Sequence, residues 1–293
     1  MKINKTAALY AILAAALYAI NVPISKILLH HVDAAMMAAL LYLGAGVGLL
    51  LYSALEKLLG RPSSRQPLTK RDLPYTVGMV VLDIAAPILL MAGIARTTSG
   101  NVSLLNNFEI VATSVIALVI FKEAISKKLW CAIFLVTLAS AILSFENAGA
   151  FTFNTGSLLV LGACLCWGFE NNCTKMLSSK SSVEIVTIKG CFSGLGSLCI
   201  ALLLGEDFPN FLWTLTALIL GFVSYGLSIN FYILAQKDLG AARTSAYYSI
   251  APFLGVAFSI LLLGEQPTLQ FCAALVIMVL GTVLMASDNP QAQ

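Results

Sequence analysis

The sequence predicts an all-α, polytopic membrane protein with ten transmembrane helices in two inverted five-helix repeats. Three observations carry that expectation. The 293-residue chain is 59% hydrophobic and 11% charged, with a mean hydropathy of +0.91, whereas a soluble domain carries roughly 25% charged residues. Apolar runs of the ~20 residues that cross a bilayer recur throughout it and leave nothing of domain size between them. A polar pattern in the first run also returns in the second half of the chain.

The runs fall at roughly 6–29, 34–55, 74–95, 100–121, 129–146, 156–177, 184–204, 212–235, 244–263 and 269–287. With Lys2 and Lys5 on the cytoplasmic side, so are Lys57, Arg61, Arg65, Lys70 and Arg71, then Lys122, Lys127 and Lys128, then Lys180, Lys237 and Arg243. The opposite connections carry only Arg96. Positive residues stay inside, so both termini are expected in the cytoplasm. Segment 6–29 is too long for a signal-peptide core and lacks a small-residue cleavage site, so it is read as the first span. The seven cysteines all lie in spans without a C-x-x-C pair, which suits packing better than disulfide or metal chemistry. His30 and His31 sit at a span end and read as interfacial residues.

The recurring pattern runs from Tyr18 through Asn21 and Ser25 to Lys26, and again from Trp167 through Glu170 and Thr174 to Lys175. The aromatic, the polar residue at plus three and the hydroxyl at plus seven share one helical face. A second match aligns Ser103, Glu123, Ala132 and Leu138 with Ser245, Glu265, Ala274 and Leu280. Spans one to five thus match spans six to ten, placing the repeats at 1–147 and 156–288. Five is odd, so the halves are inverted, which puts a binding site near the bilayer midplane. The runs Gly44-x-x-x-Gly48 and Gly190-x-x-x-Gly194 are read as close helix packing and carry no statement about oligomeric state.

In these residues the chain resembles the drug/metabolite transporter superfamily, EamA type, whose pattern is aromatic-Gly-x-Asn-x4-Lys in the first helix of each repeat. Tyr18-Ala19-Ile20-Asn21 to Lys26 and Trp167-Gly168-Phe169-Glu170 to Lys175 are the two copies. A second element, Pro followed at plus thirteen by Glu, stands as Pro252 to Leu263-Gly264-Glu265, and is degraded to Ile110 and Phe121-Lys122-Glu123 in the first half. The resemblance covers nearly the whole chain. It implies a ten-helix bundle with a central cavity and alternating access, commonly for export of amino acids or other small metabolites across a bacterial-type plasma (inner) membrane. Glu170 stands where the family usually has Asn, so substrate identity does not come over with the fold.

Three carboxylates fall inside spans: Asp83, Glu109 and Glu170. An ionised acid at mid-bilayer costs about 2.5–3.5 kcal/mol on insertion scales, so such groups face a cavity or a partner. They are the candidates for proton coupling. Ser103, Asn106, Glu109 and Thr113 form a stripe at helical spacing with Asn107 beside it, and Tyr225, Ser228, Tyr232, Ser245, Tyr248 and Ser249 answer it from the other half. With Tyr18, Asn21, Trp167, Glu170 and Asn171 these are the expected lining of a substrate cavity. Asp83 shares a face with Thr76 and Pro87, and either serves a cavity or pairs with a donor near the Pro87 kink, where a backbone carbonyl has lost its partner. Lys26 and Lys175, near opposite ends of their helices, either snorkel to the interface or form a gating salt bridge. Glu123 and Glu265 are expected to stabilise the N-terminus of the last helix of each half.

Acids outnumber bases in the cavity zone, which favours cations and zwitterions. No Lys or Arg is expected at mid-depth to hold a phosphorylated or nucleotide-sugar substrate. The chain has no H-E-x-x-H, no G-x-S-x-G and no nucleotide-binding loop, so an intramembrane enzyme or an ATP-driven pump is disfavoured. The expectation is a secondary transporter of a small polar molecule, without cofactor, metal or nucleic acid, whose partners are its substrate, the lipid bilayer and protons. An uncoupled facilitator or exchanger is the alternative.

Overall fold

The computed structural model describes residues 5–58, 68–122, 126–147, 152–177, 180–239, 244 and 247–286; Glu123 and Ser245 lie outside them. The chain builds α1 (Lys5–Ala19), α2 (Asn21–Leu28), α3 (Ala34–Leu58), α4 (Leu73–Arg96), α5 (Ser99–Leu105), α6 (Phe108–Phe121) and α7 (Lys127–Ser144). A short antiparallel ribbon of β1 (Phe145–Asn147) and β2 (Thr152–Phe153) leads into α8 (Thr155–Met176) and α9 (Ser182–Ile188). Then come α10 (Gly194–Leu203), α11 (Phe211–Gly221), α12 (Ser228–Leu239), α13 (Ala251–Leu263) and α14 (Leu269–Ala286).

Among the described residues, seven helical stretches are long and apolar enough to cross a bilayer: Lys5–Leu28, Ala34–Leu55, Lys70–Arg96, Ser99–Ile120, Lys127–Ser144, Val183–Leu203 and Phe211–Tyr232. Shorter apolar helices cover Ala251–Leu263 and Leu269–Leu284. α8 has the length but is diluted by Glu170, Asn171, Asn172 and Lys175. Large apolar side chains such as Leu51, Val119, Phe134, Leu203 and Leu261 stay exposed on the outside, an arrangement suited to lipid rather than water.

Within hydrocarbon each helix must satisfy its own backbone, and the starts of the helices show how. Thr98, Ser126, Asn154, Ser181 and Asn210 accept from the backbone N–H three residues on, occupying one donor that the first turn would leave open. α6 and α13 both end on a left-handed residue, Lys122 at φ 55° and Gly264 at φ 65°.

Helix α3 is the centre of the bundle, with Met36, Met37, Ala38, Ala39 and Leu41 fully buried. It packs on α10 and α11 through the glycines that the sequence marks. A Cβ on Gly190 would stand 2.5 Å from the backbone of Gly46, and one on Gly194 2.7 Å from Leu43 N. α4 lies along α8, α1 along α12, α6 on α8, α1 on α13, α5 on α13 and α7 on α14.

Several helices are interrupted. α1 gives way to α2 at Ile20, one turn before Pro23, which has no N–H to offer the Ala19 carbonyl. α5 and α6 are separated by a turn at Asn106–Asn107, whose successors Glu109 and Ile110 bond three residues back to Asn106 O and Asn107 O at 3.2 Å. The expected stripe from Ser103 to Thr113 runs across this turn, with Ser103 on α5 and Glu109 and Thr113 on α6. Wide π turns occupy Lys189–Ser193 and Phe222–Leu227, a feature that often marks functional positions.

Candidate functional site

The expected acids Asp83 and Glu170 meet in the middle of the bundle, and a residue that the sequence reading left out joins them. Lys189 Nζ lies 3.0 Å from Asp83 Oδ2 and 3.1 Å from Glu170 Oε1. Asp83 is 0% and Glu170 1% exposed, while the Lys189 side chain keeps 19% of its surface. The two acids are also held by neutral donors. Asp83 Oδ1 accepts from Tyr42 OH at 3.0 Å and from Trp167 Nε1 at 3.2 Å, and Glu170 Oε1 accepts from Thr174 Oγ1. Buried charges persist only when paired and hydrogen-bonded in this way. The expectation that no lysine stands deep in the bundle is overturned by Lys189, and Asp83 takes these donors rather than one at the Pro87 kink.

A polar and aromatic layer adjoins the triad. Asn21 Nδ2 donates to Tyr225 OH at 3.1 Å and Ser25 Oγ to Asn21 Oδ1 at 3.2 Å. Tyr225 lies 5.4 Å from Tyr42 and 6.0 Å from Tyr18, centroid to centroid, and Tyr18 lies 6.0 Å from Tyr248. Tyr232 meets Tyr248 edge-on at 5.1 Å. Ser228 Oγ donates to Ala14 O at 2.9 Å, leaving its oxygen for Tyr248.

Glu109 stands apart from the triad, half-buried at the start of α6. Asn171 Nδ2 donates to Glu109 Oε1 at 2.7 Å and lies 3.2 Å from Thr113 Oγ1. It is within electrostatic reach of Tyr18, Tyr225 and Tyr248. Asn106 and Asn107 at the α5–α6 turn precede Glu109 in the chain, Ser103 lies against Gly255 of α13, and one side-chain oxygen of each of the three has no hydrogen-bond partner among the described residues.

The remaining expected residues sit at the ends. Lys26 Nζ donates to the carbonyls of Ile94 and, at 2.7 Å, Thr97, so it closes the C-terminus of α4. Glu265 accepts from Ser99 N at 2.7 Å and Gly100 N at 2.8 Å; it therefore caps α5 rather than the last helix, correcting that expectation. Glu206 does the same for α3 through Ala35 N and Met36 N, at 3.2 and 2.6 Å. Lys26, Arg96, Asn101, Asn154, Glu265 and Gln270 border a cavity of about 530 Å³ at this end. Lys175 is exposed in the last turn of α8.

Lys189 carried one signal in the sequence: a lone base near the start of the apolar run 184–204. Its nearness to the expected cytoplasmic end offered an escape to the interface, and from the sequence only the acids in spans stand out.

An apolar exterior on membrane-length helices marks an integral membrane protein. The sequence profile of the EamA-like transporter family matches residues 5–145 and 154–287, and the chain belongs to that family. An uncharacterized transporter of Methanothermobacter thermautotrophicus is 24% identical over 282 residues, 92% of this chain and 82% of the relative. A solved crystal structure of another protein superposes with a TM-score of 0.67 at 16% identity, covering 98% of this chain and 99% of the other; at that identity the likeness concerns the fold alone.

Proposed function

We propose that this transporter is a secondary exporter of small cationic or zwitterionic metabolites, amines or amino acids, working by alternating access with protons exchanged at its buried carboxylates. The carrying observation is the charge inventory of the centre. Asp83 and Glu170 share one base, Lys189, and Glu109 bonds the neutral Asn171, so among the described residues the site holds an excess of acids over bases that a substrate ammonium or a proton neutralises. Glu109, which has a neutral hydrogen-bond partner in Asn171 and no direct ion pair among the described residues, is the first candidate for the proton. A phosphorylated substrate is disfavoured because Lys189 is already committed to two carboxylates.

Ten spans in two inverted repeats, 1–147 and 156–288, with cytoplasmic termini in a bacterial-type inner membrane, complete the reading. Helix contacts support it in matched sets. If α1–α2, α3, α4, α5–α6 and α7 correspond to α8, α9–α10, α11–α12, α13 and α14, then α4 on α8 mirrors α12 on α1, and α6 on α8 mirrors α13 on α1. α3 on α10, α5 on α13 and α7 on α14 pair with themselves across the axis. Lys122 and Gly264, aligned by the repeat, share the left-handed conformation.

The test is flux in liposomes loaded with a pH-sensitive dye, with gradients of amino acids and amines. Substrate-driven proton movement is expected in the wild type, with loss in Glu109→Gln and Glu170→Gln. Substrate flux that persists undiminished in both variants would make the protein a facilitator or exchanger.

A further inference from the structure

We propose that Lys189 is a tethered stand-in for the substrate's ammonium group: in the empty carrier it occupies the Asp83–Glu170 pair that a primary amine takes on binding. The inference rests on the reading above that cationic groups are carried, and names both the subsite and the residue that competes for it.

Four features lead there. Asp83 and Glu170 are fixed without the lysine, since Tyr42 and Trp167 hold one and Thr174 the other. The backbone beneath Lys189 is fixed as well, because its π turn lies against α3, where a Cβ on Gly46 would stand 2.5 Å from Cys191 N. What can move is the four-carbon stem. Lys189 is also the member of the triad whose side chain keeps accessible surface, so it is the member with free space beside it to move into. Finally, one ammonium between two carboxylates leaves a net negative charge. Two desolvated acids do not remain ionised without a cation between them, so Lys189 can swing away only when another cation arrives. The occupant it vacates for is a primary ammonium on an unbranched carbon, the group whose N–H donors and size it reproduces.

This arrangement makes substrate binding a displacement. If the resident ammonium holds the pair ~90% of the time, the apparent affinity for a substrate amine is reduced about tenfold. Removing the lysine lifts that competition.

The experiment uses the full chain in detergent with n-propylammonium, which replaces the atoms removed by Lys189→Ala. A saturable rise of several degrees in the unfolding midpoint of Lys189→Ala is expected with propylammonium and not with tetramethylammonium, which has no N–H donor. Lys189→Met, which refills the space, and the neutral Asp83→Asn/Glu170→Gln/Lys189→Ala variant should show no such rise. An equal response in either control, or none in Lys189→Ala, overturns the proposal. If Lys189→Ala is recovered only when purified with propylammonium, the proposal stands; if the amine fails to rescue it, the proposal falls. Flux separates the two readings. Wild-type flux with unchanged apparent amine affinity in Lys189→Ala defeats the stand-in alone, whereas absent wild-type flux defeats the transport reading while the amine-specific shift still reports on the subsite.

Discussion

Replacing Lys189 by Met leaves two carboxylates facing each other in the bundle interior with no counter-charge. The ammonium is 3.0 Å from Asp83 and 3.1 Å from Glu170, so both contacts vanish at once. Removing one partner of a buried ion pair costs about 3–5 kcal/mol, because the acids left behind must either hold a desolvated charge or take up a proton. Asp83→Asn removes much less. Lys189 keeps Glu170, and the Asn side-chain oxygen still accepts from Tyr42 and Trp167, so the loss is that of one charge-assisted bond, about 1.5–3 kcal/mol. The triple variant Asp83→Asn/Glu170→Gln/Lys189→Met buries no net charge and should lie within about 1–2 kcal/mol of wild type, on either side. Thermal or denaturant unfolding of the four proteins in one detergent measures this order. The reasoning is refuted if Lys189→Met costs no more than Asp83→Asn, or if the triple variant is as unstable as Lys189→Met.

Other consequences concern the frame that holds the site. Gly190→Ala should destabilise by about 1–3 kcal/mol, since the new Cβ meets Gly46 backbone at 2.5 Å; an unchanged unfolding midpoint would mean that the α3 crossing is looser than described. Glu265→Gln keeps the shape but weakens the charge-assisted bonds to Ser99 N and Gly100 N, with an expected loss of about 1 kcal/mol and faster hydrogen exchange in α5. Lys122→Gly should stabilise by up to about 1 kcal/mol, read in the same unfolding assay, because Lys122 adopts φ 55° where its repeat counterpart is Gly264.

Much of this protein is legible in its sequence, for reasons tied to the solvent it folds in. A bilayer demands long apolar helices with internally satisfied backbones, so composition and run length announce the spans. An acid in such a run is costly enough to need a reason, which is why Asp83, Glu109 and Glu170 stood out, and Asp83 and Glu170 do meet. Helical spacing likewise linked Glu170 to Thr174 and Asn21 to Ser25. Periodicity, however, assumes an unbroken helix. It placed Ser103 and Glu109 on one stripe, where the backbone breaks at Asn106–Asn107.

Only the tertiary structure decided who pairs with whom. Asp83 on α4, Glu170 on α8 and Lys189 after α9 are separated by 106 residues from first to last, and no local rule relates them. A lysine near a span end has a low-cost escape to the interface, so sequence alone gives it no reason to turn inward. Here the close approach of α3 to the Lys189 turn, through Gly46 and Gly190, and the packing of α4 on α8 set two anchored carboxylates within reach of its ammonium. Ion pairing in a low-dielectric interior depends on such angstrom-scale distances, which the packing of helices fixes and the order of residues along the chain does not.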